Sequence, residues 1–309
     1  MTVALITHPA CLAHDTGPFH PECADRLRVI LAALEAEEFQ LLLREQAPLA
    51  TEAQLALVHP PAHIRLILGT VPEDGKSVDL DADTIMSHGS AEAALRSAGG
   101  AIMAVDAVME GWASSAFSAT RPPGHHCERA APMGFCLFAS AAIAARHAQA
   151  RWGLGRVAVV DFDVHHGNGT QDIFAADASL FYGSSHQFPC YPGTGAASET
   201  GVGNIVNVPL APGSGSAAFR AAWSDVILPA LDAFVPELII VSAGFDAHKA
   251  DPLAQLRLET EDFRWLTEAL LDRARTHCGG RLVSVLEGGY DLKALAECAA
   301  AHVRTLMLG

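Results

Sequence analysis

The chain contains an apolar run that passes directly into a cluster of acids and histidines: Val157-Ala158-Val159-Val160-Asp161-Phe162-Asp163-Val164-His165-His166-Gly167-Asn168. The aliphatic residues predict a buried strand, which we place at Val157–Asp163. Because alternate side chains of a strand share a face, Asp161, Asp163 and His165 are expected to point the same way. Two carboxylates buried side by side need a compensating cation or several hydrogen-bond donors, and a divalent metal is the simplest of these. The stretch therefore predicts a divalent metal site.

Six further strand-like runs alternate with helix-like stretches along the chain. The other predicted strands are Val3–Thr7, Ser115–Ala119, Leu180–Gly183, Ile205–Val208, Leu238–Ser242 and Leu282–Leu286. The predicted helices are Glu22–Glu38, Ser90–Glu110, Phe135–Arg151, Ala217–Ala233, Glu261–Thr276 and Leu292–Leu306. This alternation predicts a mostly parallel sheet with helices on both faces. No linker, repeat or low-complexity tract is present, so we expect one α/β domain over residues 1–309.

Polar motifs follow four of the predicted strands: Arg121–His126, Asp161–Asn168, Ser242–Asp246 and Glu287–Tyr290. In open parallel sheets, ligands bind beyond the carboxyl ends of the strands. We therefore expect the four motifs to meet at one edge of the sheet.

Composition excludes several classes of protein. The formal net charge of −15 argues against nucleic-acid binding, which needs a positive surface; it suits plain solubility or a cationic substrate. No apolar run approaches the roughly 18 residues of a membrane helix, and the first residues do not form a signal peptide, so we expect a cytoplasmic protein without membrane contact. The seven cysteines include no C-x-x-C pair, which argues against a disulfide framework and a cysteine-built zinc finger.

Asp163, His165 and Asp246 form a plausible ligand set for the predicted metal. Oxygen and nitrogen donors suit zinc, and three protein ligands leave a position for water, which is typical of a catalytic site. The same donors also accept iron or cobalt. Taken singly, an aspartate that ends a strand more often caps a turn, so the prediction depends on the three residues together.

Two adjacent histidines and a tyrosine supply further candidate catalytic groups. A turn after Pro122–Gly124 would bring His125 and His126 to the metal, one as general base and the other in a complementary charge state. Asp161 and Asn168 are their natural partners. Tyr290 follows two glycines, which allow a sharp turn that presents the phenol as an oxyanion donor. The alternatives are hydrogen-bonded structural histidines and a packing tyrosine.

In combination these residues resemble the histone deacetylase family, and more closely its class II branch, which shares its fold with arginases. The similarity follows the family's order through His20–Glu22, Arg121–His126, Gly134–Cys136, Asp161–Gly169, Pro192–Gly195, Ser242–Asp246 and Glu287–Tyr290. It implies the arginase/deacetylase fold, with an eight-stranded, mostly parallel sheet flanked by helices. Class I members usually carry aspartate where Asn168 stands, so this residue favours class II.

The resemblance implies two kinds of metal ion. A catalytic zinc would be bound by Asp163, His165 and Asp246. A structural potassium would be bound by oxygens of Asp161, Asp163, His165, Ser184 and Ser185.

The resemblance also implies catalytic roles. His126 would be the general base and acid, paired with Asn168. His125 would be its electrostatic partner, paired with Asp161, and Tyr290 would donate to the acyl oxygen.

The implied substrate tunnel takes an aliphatic arm and is lined by Gly134, Phe135 and Tyr191. Aromatic side chains there would enclose methylene groups. Polyamine-selective relatives tend to carry glutamate where Leu253 stands, so leucine favours acetyl-lysine, although an acidic rim residue such as Asp83 could replace that glutamate.

The implied activity is a zinc-dependent amidohydrolase that deacylates acetylated primary amines, such as acetyl-lysine, and releases acetate. An acetylpolyamine deacetylase is the alternative. A non-catalytic acyl-amine sensor is less favoured, because no residue needed for catalysis is missing. An arginase-like binuclear manganese hydrolase is less favoured, because Asp246-Ala247-His248 supplies one carboxylate where two are needed. The natural substrate, the acyl length and the oligomeric state, including a homo-oligomer, stay open.

Overall fold

A parallel sheet of eight strands forms the centre of the computed structural model, which describes residues 1–309. The strand order is β2-β1-β5-β10-β9-β6-β7-β8, and every pair of neighbours runs parallel. The strands are β1 (Val3–Thr7), β2 (Leu43–Gln46), β5 (Ser115–Ser118), β6 (Val157–Asp161), β7 (Leu180–Gln187), β8 (Ile205–Leu210), β9 (Leu238–Ala243) and β10 (Leu282–Leu286). The predicted fold class is confirmed.

Three short strands were not predicted from the sequence. The edge strand β2 is exposed at all four residues, so it lacks the apolar run that indicates a buried strand. Strands β3 (Ser77–Asp79) and β4 (Ile85–Ser87) form a separate antiparallel hairpin. The prediction for β6 is wrong at its end, because the strand stops at Asp161 and not at Asp163.

Helices cover both faces of the sheet. They are α1 (Ala24–Ala33), α2 (Glu52–Leu55), α3 (Pro61–Gly69), α4 (Ser90–Glu110), α5 (Ser140–Trp152), α6 (Asn168–Phe174), α7 (Ser216–Ala221), α8 (Leu228–Phe234), α9 (Thr260–Cys278) and α10 (Leu292–Leu308). The predictions of α1 from Glu22 and of α5 from Phe135 begin too early. Phe135 has a φ of +69°, which no α-helix accommodates. The helix predicted at Ala217–Ala233 is α7 and α8 joined by a π-helical segment.

Two apolar cores of similar size, with 42 and 41 buried residues, lie on opposite faces of the sheet. Alternate residues of β1 divide between them: Val3 and Leu5 enter one core, and Ala4 and Ile6 enter the other. Burial on both faces is typical of parallel sheets. It leaves the ends of the strands as the places where a ligand can reach the sheet.

The four central strands β5, β10, β9 and β6 are direct neighbours in the sheet. Each of the four polar motifs follows the carboxyl end of one of them, so the predicted convergence is confirmed. None of the helices combines the length and apolar character needed to cross a bilayer. All seven cysteines are free. The sequence predicted no disulfide framework.

Candidate metal and catalytic site

The side chains after β6 reach the site by a turn and not, as predicted, by strand alternation. Asp161 ends the strand, and its Oδ1 accepts the Asp163 N–H at 3.1 Å. Asp163 Oδ1 in turn accepts the His165 N–H at 2.9 Å. These bonds from side chain to backbone two residues on are typical of Asx turns, and they fold the segment so that alternate residues face the same way. The predicted grouping is therefore present for a different reason.

Asp163, His165 and Asp246 come together, and we call them the Asp–His–Asp cluster. Their ligand atoms all lie within 4.8 Å of one another, and the three residues are buried. His165 Nδ1 lies 3.2 Å from both Asp163 Oδ1 and Asp246 Oδ2. The turn after β6 and the loop after β9 therefore place two oxygen donors and one nitrogen donor close together.

One carboxylate oxygen of the cluster lacks a hydrogen bond. Asp246 Oδ1 accepts the Val164 N–H at 2.8 Å, but the buried Oδ2 has no partner with hydrogen-bonding geometry. Burial and the neighbouring Asp163 raise the pKa of Asp246. Burial opposes ionisation of Asp163 too, but His125 and His165 hold the pKa of that carboxyl below its ordinary value. A divalent cation fits this donor set, because it would satisfy the free oxygen and the crowded negative charge.

Two glycines let the backbone pack directly against the carboxylates. A Cβ on Gly244 would lie 2.0 Å from Asp163 Oδ2, and one on Gly288 would lie 2.1 Å from Asp246 Oδ2. Neither distance is sterically tolerable. The Gly288 N–H also donates to Asp163 Oδ2 at 2.8 Å. The loops after β9 and β10 thus enclose the cluster closely.

His125 and His126 are packed ring to ring, with centroids 4.0 Å apart. His125 Nδ1 lies 3.1 Å from Asp161 Oδ2, and His126 Nδ1 lies 2.8 Å from Asn168 Oδ1. Burial disfavours charge on both rings. For His125, Asp163 and Asp161 outweigh burial and raise the pKa to about 10, whereas burial and the adjacent His125 lower the pKa of His126 well below its usual range. The pair therefore combines a charged and a neutral imidazole.

Two residues support the histidines in roles that were not predicted from the sequence, although Glu287 belongs to one of the four predicted polar motifs. Glu287 Oε2 accepts the N–H groups of Gly124 and His125 at 2.7 and 3.1 Å, and so connects the loop after β5 to the end of β10. Tyr182 donates to Asp161 Oδ2 at 3.0 Å. The position of Glu287 directly after the apolar run Leu282–Leu286 indicated a polar group at the end of a strand. Nothing in the local sequence distinguishes Tyr182 from an ordinary strand residue.

Tyr290 lies beside the cluster on the loop after β10. Burial raises the pKa of its phenol well above the ordinary value, so the group is a hydrogen-bond donor at neutral pH. The Arg26 guanidinium packs 4.9 Å from the ring centroid, and Arg26 Nε donates to the Gly289 carbonyl at 2.6 Å. Asp251 Oδ2 accepts the Tyr290 N–H at 2.7 Å. Two charged side chains therefore hold this loop.

Aromatic rings stand around the histidine pair and Tyr290. The Phe135 and Tyr290 rings pack edge to face with centroids 5.9 Å apart, and the Tyr191 and His126 ring centroids are 5.1 Å apart. A Cβ on Gly134 would lie 2.4 Å from His126 Cδ2, so this residue borders the same space. Leu253 is linked less directly: its N–H donates to Asp251, which also bonds Tyr290. The predicted tunnel residues thus lie around the site.

The predicted potassium ligands are neighbours across two strands. Asp161 pairs with Ser184 in the register of β6 and β7. The Ser184 hydroxyl bonds His186 Nδ1 at 2.9 Å, and the Ser185 hydroxyl accepts the Trp223 indole N–H at 2.9 Å. Potassium binding by this group, together with Asp163 and His165, stays a prediction.

A second group of ligand-type residues was not identified in the sequence: His59, His63 and Cys127, which we call the His–His–Cys cluster. The two rings stack at 4.4 Å, and Cys127 Sγ lies 3.6 Å from His63 Nε2. The four-residue spacing of the histidines was its only signal.

Comparison with known proteins agrees with this geometry. The family model described as histone deacetylase domain matches residues 20–306. This chain belongs to the histone deacetylase family. It is 43% identical over 305 residues to a histone deacetylase-like amidohydrolase of Pseudomonas aeruginosa. The alignment covers 96% of this chain and 78% of that relative. It is 38% identical over 326 residues to the polyamine deacetylase HDAC10 of Homo sapiens. This alignment covers 99% of this chain and 48% of that relative.

A solved structure supports the same assignment. The crystal structure of the HDA15 HD domain superposes with a TM-score of 0.92 at 36% identity, covering 99% of this chain and 89% of that one. The predictions of a histone deacetylase fold and of an enzyme of the deacetylase and amidohydrolase class are confirmed.

Proposed function

We propose that this chain is a zinc-dependent amidohydrolase that deacylates acetylated primary amines, with acetyl-lysine or a similar linear amide as substrate. The observation that supports it best is the buried Asp246 Oδ2, which lies 3.2 Å from His165 Nδ1 but has no partner with hydrogen-bonding geometry. Zinc held by these three residues would supply Lewis-acid polarisation of the substrate carbonyl and of the attacking water. Iron or cobalt would bind the same donors.

The neutral His126 is the general base in this proposal. Its low pKa leaves the ring neutral at neutral pH, and because Asn168 Oδ1 faces Nδ1, the lone pair would lie on Nε2, which would take a proton from the attacking water. As the new C–O bond forms and the C–N bond breaks, the same proton would pass to the departing amine. The charged His125, held by Asp161, would stabilise the negative charge that develops.

Tyr290 is the donor to the acyl oxygen. Its phenol stays protonated at neutral pH, and Asp251 and Arg26 fix the backbone that carries it. A preorganised donor of this kind contributes about 3–4 kcal/mol to transition-state stabilisation. Phe135 and Tyr191 would enclose the methylene chain of the substrate, and Gly134 packs against the His126 ring.

An acetylated polyamine is the second candidate substrate. It is favoured by the relative named polyamine deacetylase and by the formal charge of −15, which would attract a cationic amine. Leu253 offers no carboxylate for a second ammonium group, and Asp83 is the acidic rim residue that would have to do so. We therefore favour acetyl-lysine. A potassium ion near Ser184 and Ser185, and a cytoplasmic location, remain part of the proposal.

The experiment that tests the reaction is a turnover panel at fixed metal content, with acetyl-lysine peptides, longer acyl-lysines and acetylated polyamines as substrates. Tyr290→Phe should lower kcat by about 10²–10³-fold, since it removes one oxyanion donor. Affinity for a hydroxamate should change little. Tyr191→Phe is the matched control, because it removes a phenol hydroxyl from a residue that is 39% exposed and keeps the ring. No turnover by the parent on any of these amides, with hydroxamate binding intact, would identify a sensor.

A further inference from the structure

The Asn168 amide lies between the His126 ring on one side and two acceptors, Glu128 and Met133, on the other. Its Oδ1 lies 2.8 Å from His126 Nδ1. Its Nδ2 donates to Glu128 Oε1 at 2.9 Å and lies 3.3 Å from Met133 Sδ. An amide has one accepting end and one donating end of nearly equal size, so packing alone does not decide which end faces the histidine.

The orientation of this amide decides the tautomer of His126. With Oδ1 toward the ring, Nδ1 must carry the hydrogen, and the lone pair then lies on Nε2. A reversed amide would present its NH₂ group to Nδ1. That nitrogen would become an acceptor, the hydrogen would move to Nε2, and no lone pair would remain for the substrate side.

Glu128 is the group that makes one orientation favourable. An ionised carboxylate only accepts hydrogen bonds, so it binds the Asn168 NH₂ group and would repel the carbonyl oxygen of a reversed amide. The thioether of Met133 is a weak acceptor and adds to the same preference. Glu128 follows Cys127 on the loop that carries His126, and its N–H donates to the Ala131 carbonyl at 3.0 Å, which holds it in place.

We infer that Glu128 is a positioning residue that holds the Asn168 amide in one orientation and thereby keeps His126 as the Nδ1–H tautomer with a free Nε2. The inference rests on the proposed role of His126 as general base. Glu128 touches neither the reacting atoms nor the candidate metal ligands in this scheme. It acts through Asn168 alone.

The test compares substitutions of Glu128 in two backgrounds. In the parent chain, Glu128→Ala should lower kcat about 10-fold with little change in KM, as is usual for groups that orient a catalytic residue. Glu128→Gln keeps a carbonyl acceptor and should recover most of this loss. In an Asn168→Asp background both ends of residue 168 accept, so no amide needs orienting, and Glu128 faces another carboxylate. In the Asn168→Asp background, Glu128→Ala should leave kcat unchanged or raise it relative to Asn168→Asp alone.

The dependence on residue 168 separates positioning from general structural support. If Glu128→Ala lowers kcat by the same factor in both backgrounds, or if Glu128→Gln is as damaging as Glu128→Ala, the inference is wrong. Equal melting temperatures among the variants verify that all of them are folded.

A spectroscopic readout tests the inference separately from activity. The ¹⁵N chemical shifts of the His126 ring distinguish the Nδ1–H and Nε2–H tautomers. We expect Nδ1–H in the parent and in Glu128→Gln, and a mixture in Glu128→Ala. A parent ring in the Nε2–H form would overturn the inference. A parent ring in the Nδ1–H form that is lost in Glu128→Ala supports it even if no amide is turned over, in which case only the proposed function fails.

Discussion

Two buried clusters of ligand-type side chains are present in this molecule, and they differ in how their polar atoms are satisfied. In the His–His–Cys cluster, His59 Nδ1 bonds the Arg129 carbonyl at 3.0 Å and His59 Nε2 accepts the Ala139 N–H at 3.0 Å. His63 Nε2 bonds the Leu137 carbonyl at 2.9 Å, and only its Nδ1 lacks a partner. Backbone groups already occupy three of these four ring nitrogens.

The Asp–His–Asp cluster has the opposite electrostatics. Burial lowers the pKa of His59 to about 3, so the His–His–Cys cluster is neutral. Burial in the protein interior favours the neutral form of such groups over the charged form. Burial raises the pKa of Asp246, but there the neutral state needs a proton on a carboxyl group next to a second carboxyl, Asp163. Proximity of donors therefore does not identify a metal site. What distinguishes the Asp–His–Asp cluster is its pair of buried carboxylates, one of which has an oxygen without a hydrogen bond.

The first test of this comparison is metal content. Asp246→Asn should reduce bound metal from about one ion per chain to near zero and lower kcat/KM by at least about 10³-fold, roughly 4 kcal/mol, because the unpartnered oxygen is lost. Elemental analysis and turnover measure the two effects.

Cys127→Ala is the matched control for that substitution. It removes a buried ligand-type group from the other cluster and should leave metal content unchanged. Two ions per chain in the parent, with one lost in each variant, would mean that both clusters bind metal.

The second test uses one histidine from each region. His126→Ala should lower kcat by about 10²–10³-fold, since it removes the general base. His59→Gln should leave kcat within about threefold, because the ring contributes only backbone hydrogen bonds and stacking. Parallel steady-state kinetics measure both. A large loss of kcat in His59→Gln would show that the two regions are coupled.

The same contrast explains what the sequence could predict. The Asp161–Asn168 motif and Tyr290 were predictable because each follows an apolar strand, and parallel strands bring their carboxyl ends to one edge. The reason given for the grouping of Asp163 and His165 was wrong, because periodicity does not indicate where a strand gives way to an Asx turn.

Supporting residues were hidden for a different reason. Glu128, Tyr182 and Glu287 act through contacts with residues 40, 21 and 163 positions away, respectively. The local pattern can place Glu287 at the end of an apolar strand, but it does not indicate which distant group any of the three contacts. The edge strand β2 was missed because its side chains are exposed and give no apolar signal. Local periodicity therefore identifies the buried strands and the groups at their ends, but not the partners that orient those groups.

A third test measures what the His–His–Cys cluster does. His59→Gln should lower the free energy of unfolding at pH 7 by about 2 kcal/mol, because at least one of its two backbone partners is left without a bond in the interior. Urea unfolding measures the effect, and Glu110→Gln, an exposed substitution at the end of α4, is the control. A variant as stable as the parent would show that this cluster contributes little to folding.

The last test uses pH and concerns the smallest effect. The pKa of His59 is about 3 in the folded protein and near 6.5 when the chain is unfolded, so the unfolded state binds one more proton between these values. Its contribution to stability is therefore present above pH 6.5 and is lost as pH falls. Other buried histidines titrate in the same direction, so the quantity to measure is the stability gap between parent and His59→Gln. That gap should shrink by about 1 kcal/mol between pH 7 and pH 5.5. A gap that does not change with pH would mean that His59 keeps an ordinary pKa, and that burial does not hold the His–His–Cys cluster neutral.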